Sequence, residues 1–126
     1  MSDRHKILIV DDEPHVLCSL GFVLKRAGYE VLHARTGTEA LAVIDEQRPG
    51  LVFLDVMLPG VDGHEVCRKV RAAPELAGTH VIMLTAKGQP ADRQRALAAG
   101  ADDYMTKPFS PSRALEQVHT VLNRAG

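Results

Sequence analysis

The chain has 126 residues, of which 45% are hydrophobic and 25% are charged, and its formal net charge is −1. A chain of this length is typical of one domain with a sizeable core, so we expect a single domain over residues 1–126. The balanced charge gives no reason to expect direct nucleic acid binding. No apolar stretch approaches the roughly 20 residues of a membrane span, and no signal-peptide core follows the N-terminal charges, so we expect a cytoplasmic protein without membrane contact.

Four apolar runs and a shorter fifth predict β-strands. None of them alternates apolar and polar residues cleanly, which is typical of strands that are covered on both faces in a parallel sheet. In chain order these strands are Lys6–Val10, Glu30–Ala34, Leu51–Leu54, His80–Leu84 and Asp103–Met105.

Segments with helical periodicity separate the predicted strands. The first segment places apolar residues at i, i+3, i+4 and i+7 from Val16 to Ala27, and Gly28 ends it. Gly100 is placed to end the fourth helix, and Pro111 lies near the start of the fifth. The expected anchors of the last four helices are Ala40, Leu41, Val43 and Ile44, then Val66 and Val70, then Leu97, and then Leu115, Val118 and Leu122.

The repeated order of strand and helix predicts an α/β fold. Units of roughly 20–30 residues are long enough for the crossovers that join parallel strands. Because such crossovers are right-handed, we expect an open, doubly wound sheet with helices on both faces.

The two cysteines, Cys18 and Cys67, are too few and too far apart for a disulfide framework or a zinc site. We therefore expect two buried free thiols in a reducing compartment.

Polar residues stand at the ends of four of the five predicted strands. Asp11 and Asp12 follow the first strand, Asp55 the third, Thr85 the fourth and Lys107 the fifth. If the second strand is an edge strand, these side chains meet at one rim of the sheet. Three carboxylates in one place repel one another, and a divalent cation or an ammonium would offset this. The set predicts phosphoryl transfer to an aspartate.

With the motifs ILIVDDEP, LVFLDVMLPGVDG, VIMLTA and GADDYMTKPF, the chain resembles the response-regulator receiver domains of two-component signalling, among them the small chemotaxis receiver. The resemblance covers nearly the whole chain. It implies a receiver domain over residues 1–126, with a flavodoxin-like five-stranded parallel sheet in the order 2-1-3-4-5 and five flanking helices.

The resemblance also implies the roles of the site residues. The protein would be no enzyme beyond its self-catalysed phosphoryl transfer and autodephosphorylation, with Mg²⁺ (or Mn²⁺) as cofactor. The Lys107–Pro108 peptide bond would be cis. The implied metal ligands are Asp11, Asp12, Asp55 and the carbonyl of Met57. The implied catalytic residues are Thr85, Lys107 and Asp55, of which Asp55 is the residue that is phosphorylated. The implied switch residues are Thr85 and Tyr104.

By the same resemblance, the phosphoryl donor is a sensor histidine kinase or a histidine phosphotransfer protein. The fourth helix, fifth strand and fifth helix would form the face that controls an output partner or domain. Met57 and Lys87 occupy positions that tune dephosphorylation in the family; neither can orient a water, which predicts a long-lived phosphoryl group. Gln117 stands where dimerising, DNA-linked receivers usually carry an arginine, which disfavours that output.

Three other functions fit parts of the sequence. An aspartate-nucleophile phosphatase would carry its DxDx[TV] motif after the first strand, where this chain reads DDEPH. A flavin or dinucleotide binder would place a glycine-rich loop there. A degenerate receiver that serves only as a docking module is the main alternative, although the complete set of acidic residues, threonine and lysine argues against it.

Overall fold

The structure is a computed structural model that describes residues 5–86 and 88–123, in which strands and helices alternate. The strands are β1 (Lys6–Val10), β2 (Glu30–Ala34), β3 (Leu51–Asp55), β4 (His80–Thr85) and β5 (Asp103–Thr106). The helices are α1 (Pro14–Arg26), α2 (Gly37–Gln47), α3 (Gly63–Ala72), α4 (Pro90–Ala98) and α5 (Pro111–Asn123), with a 3₁₀ turn at Pro74–Leu76.

The five strands form one parallel sheet in the order β2-β1-β3-β4-β5. This confirms the predicted fold class and the position of β2 at an edge. Three strands run one residue further than predicted, because the backbone ladder continues through polar residues that interrupt the apolar pattern. These three terminal residues are Asp55, Thr85 and Thr106.

The sheet is covered on both faces, as its apolar strands predict. Alternate residues of the central strands point to opposite faces, so each strand contributes to two apolar cores. One core, packed against α2, α3 and α4, contains Leu8, Val10, Val52, Leu54, Val81 and Met83. The other, packed against α1 and α5, contains Ile7, Ile9, Leu51, Phe53, Ile82 and Leu84.

Two details of the predicted packing are wrong. Cys18 is exposed, because it lies on the outer face of α1 beside the inward-facing Leu17; only Cys67 is a buried thiol. Leu97 does not anchor α4, since its side chain is 45% exposed. The helix rests on the sheet through the small residues Ala96 and Ala99, which permit a close approach.

The predicted helix ends are confirmed where glycine adopts a left-handed backbone. Gly28 follows α1 with φ of 100° and Gly100 follows α4 with φ of 102°, and both conformations are unfavourable for other residues. Within the described part of the chain, no helix has the length and apolar character needed to cross a bilayer.

Candidate functional site

Four strand ends meet at one rim of the sheet, as expected. Asp11 comes directly after β1, and its N–H donates to the carbonyl of Ala34 at the end of β2 (3.1 Å). Asp55 and Thr85 are the last residues of β3 and β4. The N–H of Lys107 donates to the carbonyl of Thr85 (2.7 Å), which joins the end of β5 to the rim.

Three carboxylates cluster at this rim. One oxygen from each of Asp11, Asp12 and Asp55 lies within 4.8 Å of the others, so the predicted acidic residues do come together. Asp11 is fully buried and Asp55 is 5% exposed, whereas Asp12 faces solvent. Burial of two like charges is unfavourable unless a cation compensates them.

Lys107 supplies part of that compensation. Its ammonium lies 2.6 Å from Asp11 Oδ2 as an ion pair and donates hydrogen bonds to Asp55 Oδ2 (3.1 Å) and Glu13 Oε1 (2.8 Å). Burial by itself lowers the pKa of Lys107, but its contacts with Asp11 and Glu13 and the charge of Asp55 outweigh burial and raise the pKa. The lysine is therefore a fixed positive charge. Its peptide bond to Pro108 is cis, as the resemblance implied.

The surroundings of Asp55 perturb its carboxyl group. Burial and the neighbouring charge of Asp11 raise the pKa of Asp55 to about 6, against the opposing effect of Lys107. The N–H of Met57 donates to Asp55 Oδ1 (3.1 Å), so this oxygen also stabilises the turn after β3. The Asp55 carboxylate is thus ionised at neutral pH yet held in a site where added positive charge is favourable.

The acidic pocket fits a divalent cation. Asp11 Oδ2 is buried, and among the described residues its ion-pair partner is Lys107. It therefore keeps oxygen lone pairs for a further partner. Carboxylate oxygens are the donors that Mg²⁺ prefers, and Asp12 and Asp55 supply two more of them.

Glu13 is a residue of this site that sequence reasoning missed. It is the N-terminal cap of α1, but its side chain makes no cap hydrogen bond and contacts Lys107 instead. The signal that could have found it is the third acidic residue of DDEP, adjacent to the pair already singled out. Asp12 does not cap α1, because Glu13 holds that position.

Gly63 is a second missed residue. As the first residue of α3 it donates its N–H to the carbonyl of Val56 (3.0 Å), and it packs directly against the backbone of Asp55. A side chain at this position would overlap the Asp55 carbonyl oxygen. Only the tertiary approach of α3 to the end of β3 reveals this constraint.

The remaining predicted residues lie outside the acidic cluster. The side chain of Met57 is 74% exposed. Tyr104 is half-buried on β5, and the guanidinium of Arg93 lies 5.8 Å from its ring centroid, within the range of a cation–π contact. Thr85 is buried at the rim. Lys87, expected to tune dephosphorylation, lies outside the described residues.

A cleft lies beside Lys107. It has a volume of about 390 Å³ and lies between α1 and the β5–α5 loop, with Val16, Ser19 and Phe109 on its walls. Glu13 and Lys107 line the same cleft, whereas the three clustered aspartates do not.

Comparisons with known proteins agree with this geometry. The family model "Response regulator receiver domain" matches residues 7–119. The transcriptional regulatory protein PhoP of Bacillus subtilis is 45% identical over 95% of this chain and 49% of its own length. This chain thus spans about half the length of that relative.

Two solved structures share the fold. A putative response regulator from Chloroflexus aurantiacus has a TM-score of 0.89 and 40% identity, covering 96% of this chain and 99% of its own. The receiver domain of sensor histidine kinase PA1611 from Pseudomonas aeruginosa, described with magnesium in its active site cleft, has a TM-score of 0.86 and 29% identity, covering 96% and 99%. The chain therefore belongs to the response regulator receiver domain family of two-component signalling.

Proposed function

We propose that residues 1–126 act as a phosphorylation-controlled receiver domain in which Asp55 accepts the phosphoryl group. The observation that carries this proposal is the Asp55 carboxylate, which lies in a cluster of three aspartates and within 3.1 Å of the Lys107 ammonium. Phosphoryl transfer depends mainly on positioning and on neutralisation of charge, and this site offers both.

The transfer is a displacement at phosphorus. An oxygen of Asp55 forms a new bond to phosphorus while the bond from phosphorus to the donor breaks, either N–P in a phosphohistidine or O–P in acetyl phosphate. The bonding electrons leave with the imidazole or the acetate. Lys107 stabilises negative charge on the phosphoryl oxygens, and the buried Thr85 donates a further hydrogen bond from its hydroxyl. In autodephosphorylation a water oxygen forms the new bond to phosphorus, the O–P bond to Asp55 breaks, and inorganic phosphate leaves as Asp55 returns to its carboxylate.

Mg²⁺ (or Mn²⁺) would be held by Asp11, Asp12, Asp55 and the carbonyl of Met57. When bound, it would offset the charge of the carboxylates and of the entering phosphoryl oxygens. The buried oxygen of Asp11 and the magnesium described for the PA1611 receiver support this assignment.

The donor would be a sensor histidine kinase or a histidine phosphotransfer protein, and the reaction would take place in the cytoplasm. The free thiols of Cys18 and Cys67 suit a reducing compartment. PhoP is about twice as long as this chain and is described as a transcriptional regulatory protein. An output partner or domain is therefore part of the proposal, and its identity is left open.

Phosphorylation would act on the face formed by α4, β5 and α5, through Thr85 and Tyr104. Of the residues in α4, Ala96 is deeply buried while Leu97 is exposed, so little apolar area holds this helix in place. We expect amide hydrogen exchange in α4 to be faster than in α1 and to change on phosphorylation. Exchange as slow as in α1 would contradict this switch.

The exposed, apolar Met57 side chain cannot orient a water for attack on the phosphoryl group, so we expect the phosphorylated form to be long-lived. Met57→Asn should shorten its lifetime. An equally rapid loss of phosphate in the parent and in this variant would contradict the role of Met57.

Intact-mass analysis after incubation with acetyl phosphate tests the main proposal. We expect one added phosphoryl group that requires Mg²⁺ and is absent from Asp55→Asn. Asp45→Asn, at an exposed position on α2, is the matched control and should be modified like the parent. A folded parent that gains no phosphoryl group from acetyl phosphate or from a histidine kinase would favour the docking-module alternative.

A further inference from the structure

We propose that Glu13 is a positioning residue for Lys107, and that it holds the lysine ammonium in place once Mg²⁺ and the phosphoryl group engage the aspartates. This inference rests on the proposed function. It names a role for a side chain that lies outside the cluster of candidate metal ligands.

The contacts of Lys107 carry the inference. An ammonium has three protons, and within the described residues three carboxylates surround that of Lys107. Its shortest contact is the ion pair with Asp11 at 2.6 Å, and its ammonium donates hydrogen bonds to Glu13 and Asp55. Of these two, the bond to Glu13 is the shorter, at 2.8 Å against 3.1 Å.

The partners of Lys107 differ in what else they must do. Asp11 and Asp55 belong to the acidic cluster that fits a cation, and Asp55 is also the proposed phosphoryl acceptor. Glu13 does not belong to that cluster. When a cation binds the acidic cluster and Asp55 carries a phosphoryl group, Glu13 is therefore the carboxylate that remains to hydrogen-bond Lys107.

Glu13 is itself well placed for this task. Its N–H donates to Asp11 Oδ1 (3.0 Å), and Pro14 follows it directly, so its backbone is fixed at the start of α1. Its side chain makes no capping hydrogen bond to α1. Its second oxygen lies 3.8 Å from Nε2 of the exposed His15.

Glu13 and Lys107 differ in their exposure to solvent. The side chain of Glu13 is 47% exposed, whereas that of Lys107 is 16% exposed. Both line the cleft beside α1. Without Glu13, the ammonium would be free to turn into this cleft and towards water, away from the phosphoryl oxygens.

The ammonium signal of Lys107 in ¹⁵N-labelled protein tests the role without any reaction. With Mg²⁺ present and no phosphoryl donor, we expect a sharp signal in the parent, because a hydrogen-bonded ammonium exchanges its protons slowly. The signal should broaden or vanish in Glu13→Ala and persist in Glu13→Gln, whose amide oxygen still accepts a hydrogen bond. Glu75→Ala, at an exposed position far along the chain, is the matched control and should leave it unchanged.

Phosphorylation by acetyl phosphate provides the second readout. We expect Glu13→Ala to lower the maximal rate about 10-fold with little change in KM, because misplacement of a charge-stabilising group costs rate rather than binding. Glu13→Gln should recover most of the rate. An alanine variant that keeps either the parent's ammonium signal or the parent's rate would overturn the positioning role.

The two proposals fail in distinguishable ways. A parent that gains no phosphoryl group would refute the proposed function. The Lys107 ammonium signal in Glu13→Ala would still show whether Glu13 positions Lys107. A phosphorylated parent with an unaffected Lys107 signal in Glu13→Ala would refute the positioning role alone.

Discussion

Replacement of Gly63 by alanine should disturb both the stability of the fold and the proposed phosphorylation site. The added Cβ would overlap the carbonyl oxygen of Asp55 and lie 2.9 Å from Val56 Cα. Both are backbone atoms, so neither can move aside as the end of a flexible side chain would. Relief of the overlap requires α3 to shift away from the end of β3.

The expected cost follows from these contacts. Overpacking of a well-packed site typically costs about 1–3 kcal/mol. Against this, replacement of glycine by alanine stabilises by about 0.4–1 kcal/mol where the backbone tolerates it. Gly78→Ala isolates this second effect, because nothing lies within 4 Å of the added Cβ at Gly78. The two variants should therefore differ in free energy of unfolding by about 1–3 kcal/mol.

Urea denaturation followed by circular dichroism measures this difference. With a slope of about 1–3 kcal/mol per M, the midpoint of Gly63→Ala should lie on the order of 1 M below that of Gly78→Ala. The alanine at Gly63 should also slow phosphorylation by acetyl phosphate, because it displaces the backbone that carries Asp55. A Gly63→Ala protein as stable and as readily phosphorylated as Gly78→Ala would refute the reasoning.

Three further predictions concern other parts of the molecule. Iodoacetamide should modify the exposed Cys18 in native protein and spare Cys67, because burial raises the pKa of the Cys67 thiol to about 11. Mass spectrometry of peptides measures the labelling of each cysteine, and equal labelling would contradict this prediction. Asp102→Ala should lower the free energy of unfolding, measured by urea denaturation, by about 1–3 kcal/mol, because the N–H of Val81 loses its acceptor at 2.8 Å and Arg71 loses its ion pair. Asp45→Ala, at an exposed position, should leave the free energy of unfolding unchanged. Burial and the charge of Arg95 lower the pKa of His64, so the unfolded chain takes up a proton there first as pH falls below about 6.5. The contribution of neutral His64 to the free energy of unfolding is thus present above that pH and is lost below it. His64→Gln should therefore flatten the decline of the free energy of unfolding between pH 7 and 5, whereas replacement of the exposed His15 by glutamine should not. Parallel plots of this free energy against pH for the parent and His64→Gln would count against the prediction.

Arg71 of α3 connects the C-terminal end of α4 with the start of β4. Its guanidinium donates to the carbonyl of Gly100 (2.6 Å) and forms an ion pair with Asp102. Asp102 in turn accepts the N–H of Val81 at the start of β4. The C-terminal end of α4 is thereby tied to α3 and to the sheet.

Most of the fold could be predicted because its signals are local. Unbroken apolar runs such as Leu51–Leu54 indicate strands buried on both faces, and glycine after α1 indicates where that helix stops. The strand ends were placed one residue early, because Asp55 and Thr85 are polar and yet lie in the backbone ladder. Leu97 was misplaced because a single large apolar residue does not reveal which face of a helix approaches the sheet.

The site was predictable only in part. Asp11, Asp12, Asp55 and Lys107 could be named because each follows a strand, and parallel strands bring their carboxyl ends to one rim. The aspartate cluster and its contact with Lys107 agree with that prediction. The roles of these residues in phosphoryl transfer stay proposals.

The sequence by itself determined the order of strands and helices and the polar residues that end the strands, because hydrophobic periodicity and turn chemistry act between neighbours along the chain. Only the tertiary structure decided that Glu13 reaches Lys107, a residue 94 positions away, and that Gly63 packs on Asp55. Such contacts depend on where whole helices come to rest on the sheet. That placement results from the sum of many packing contacts, and no local pattern of residues encodes it.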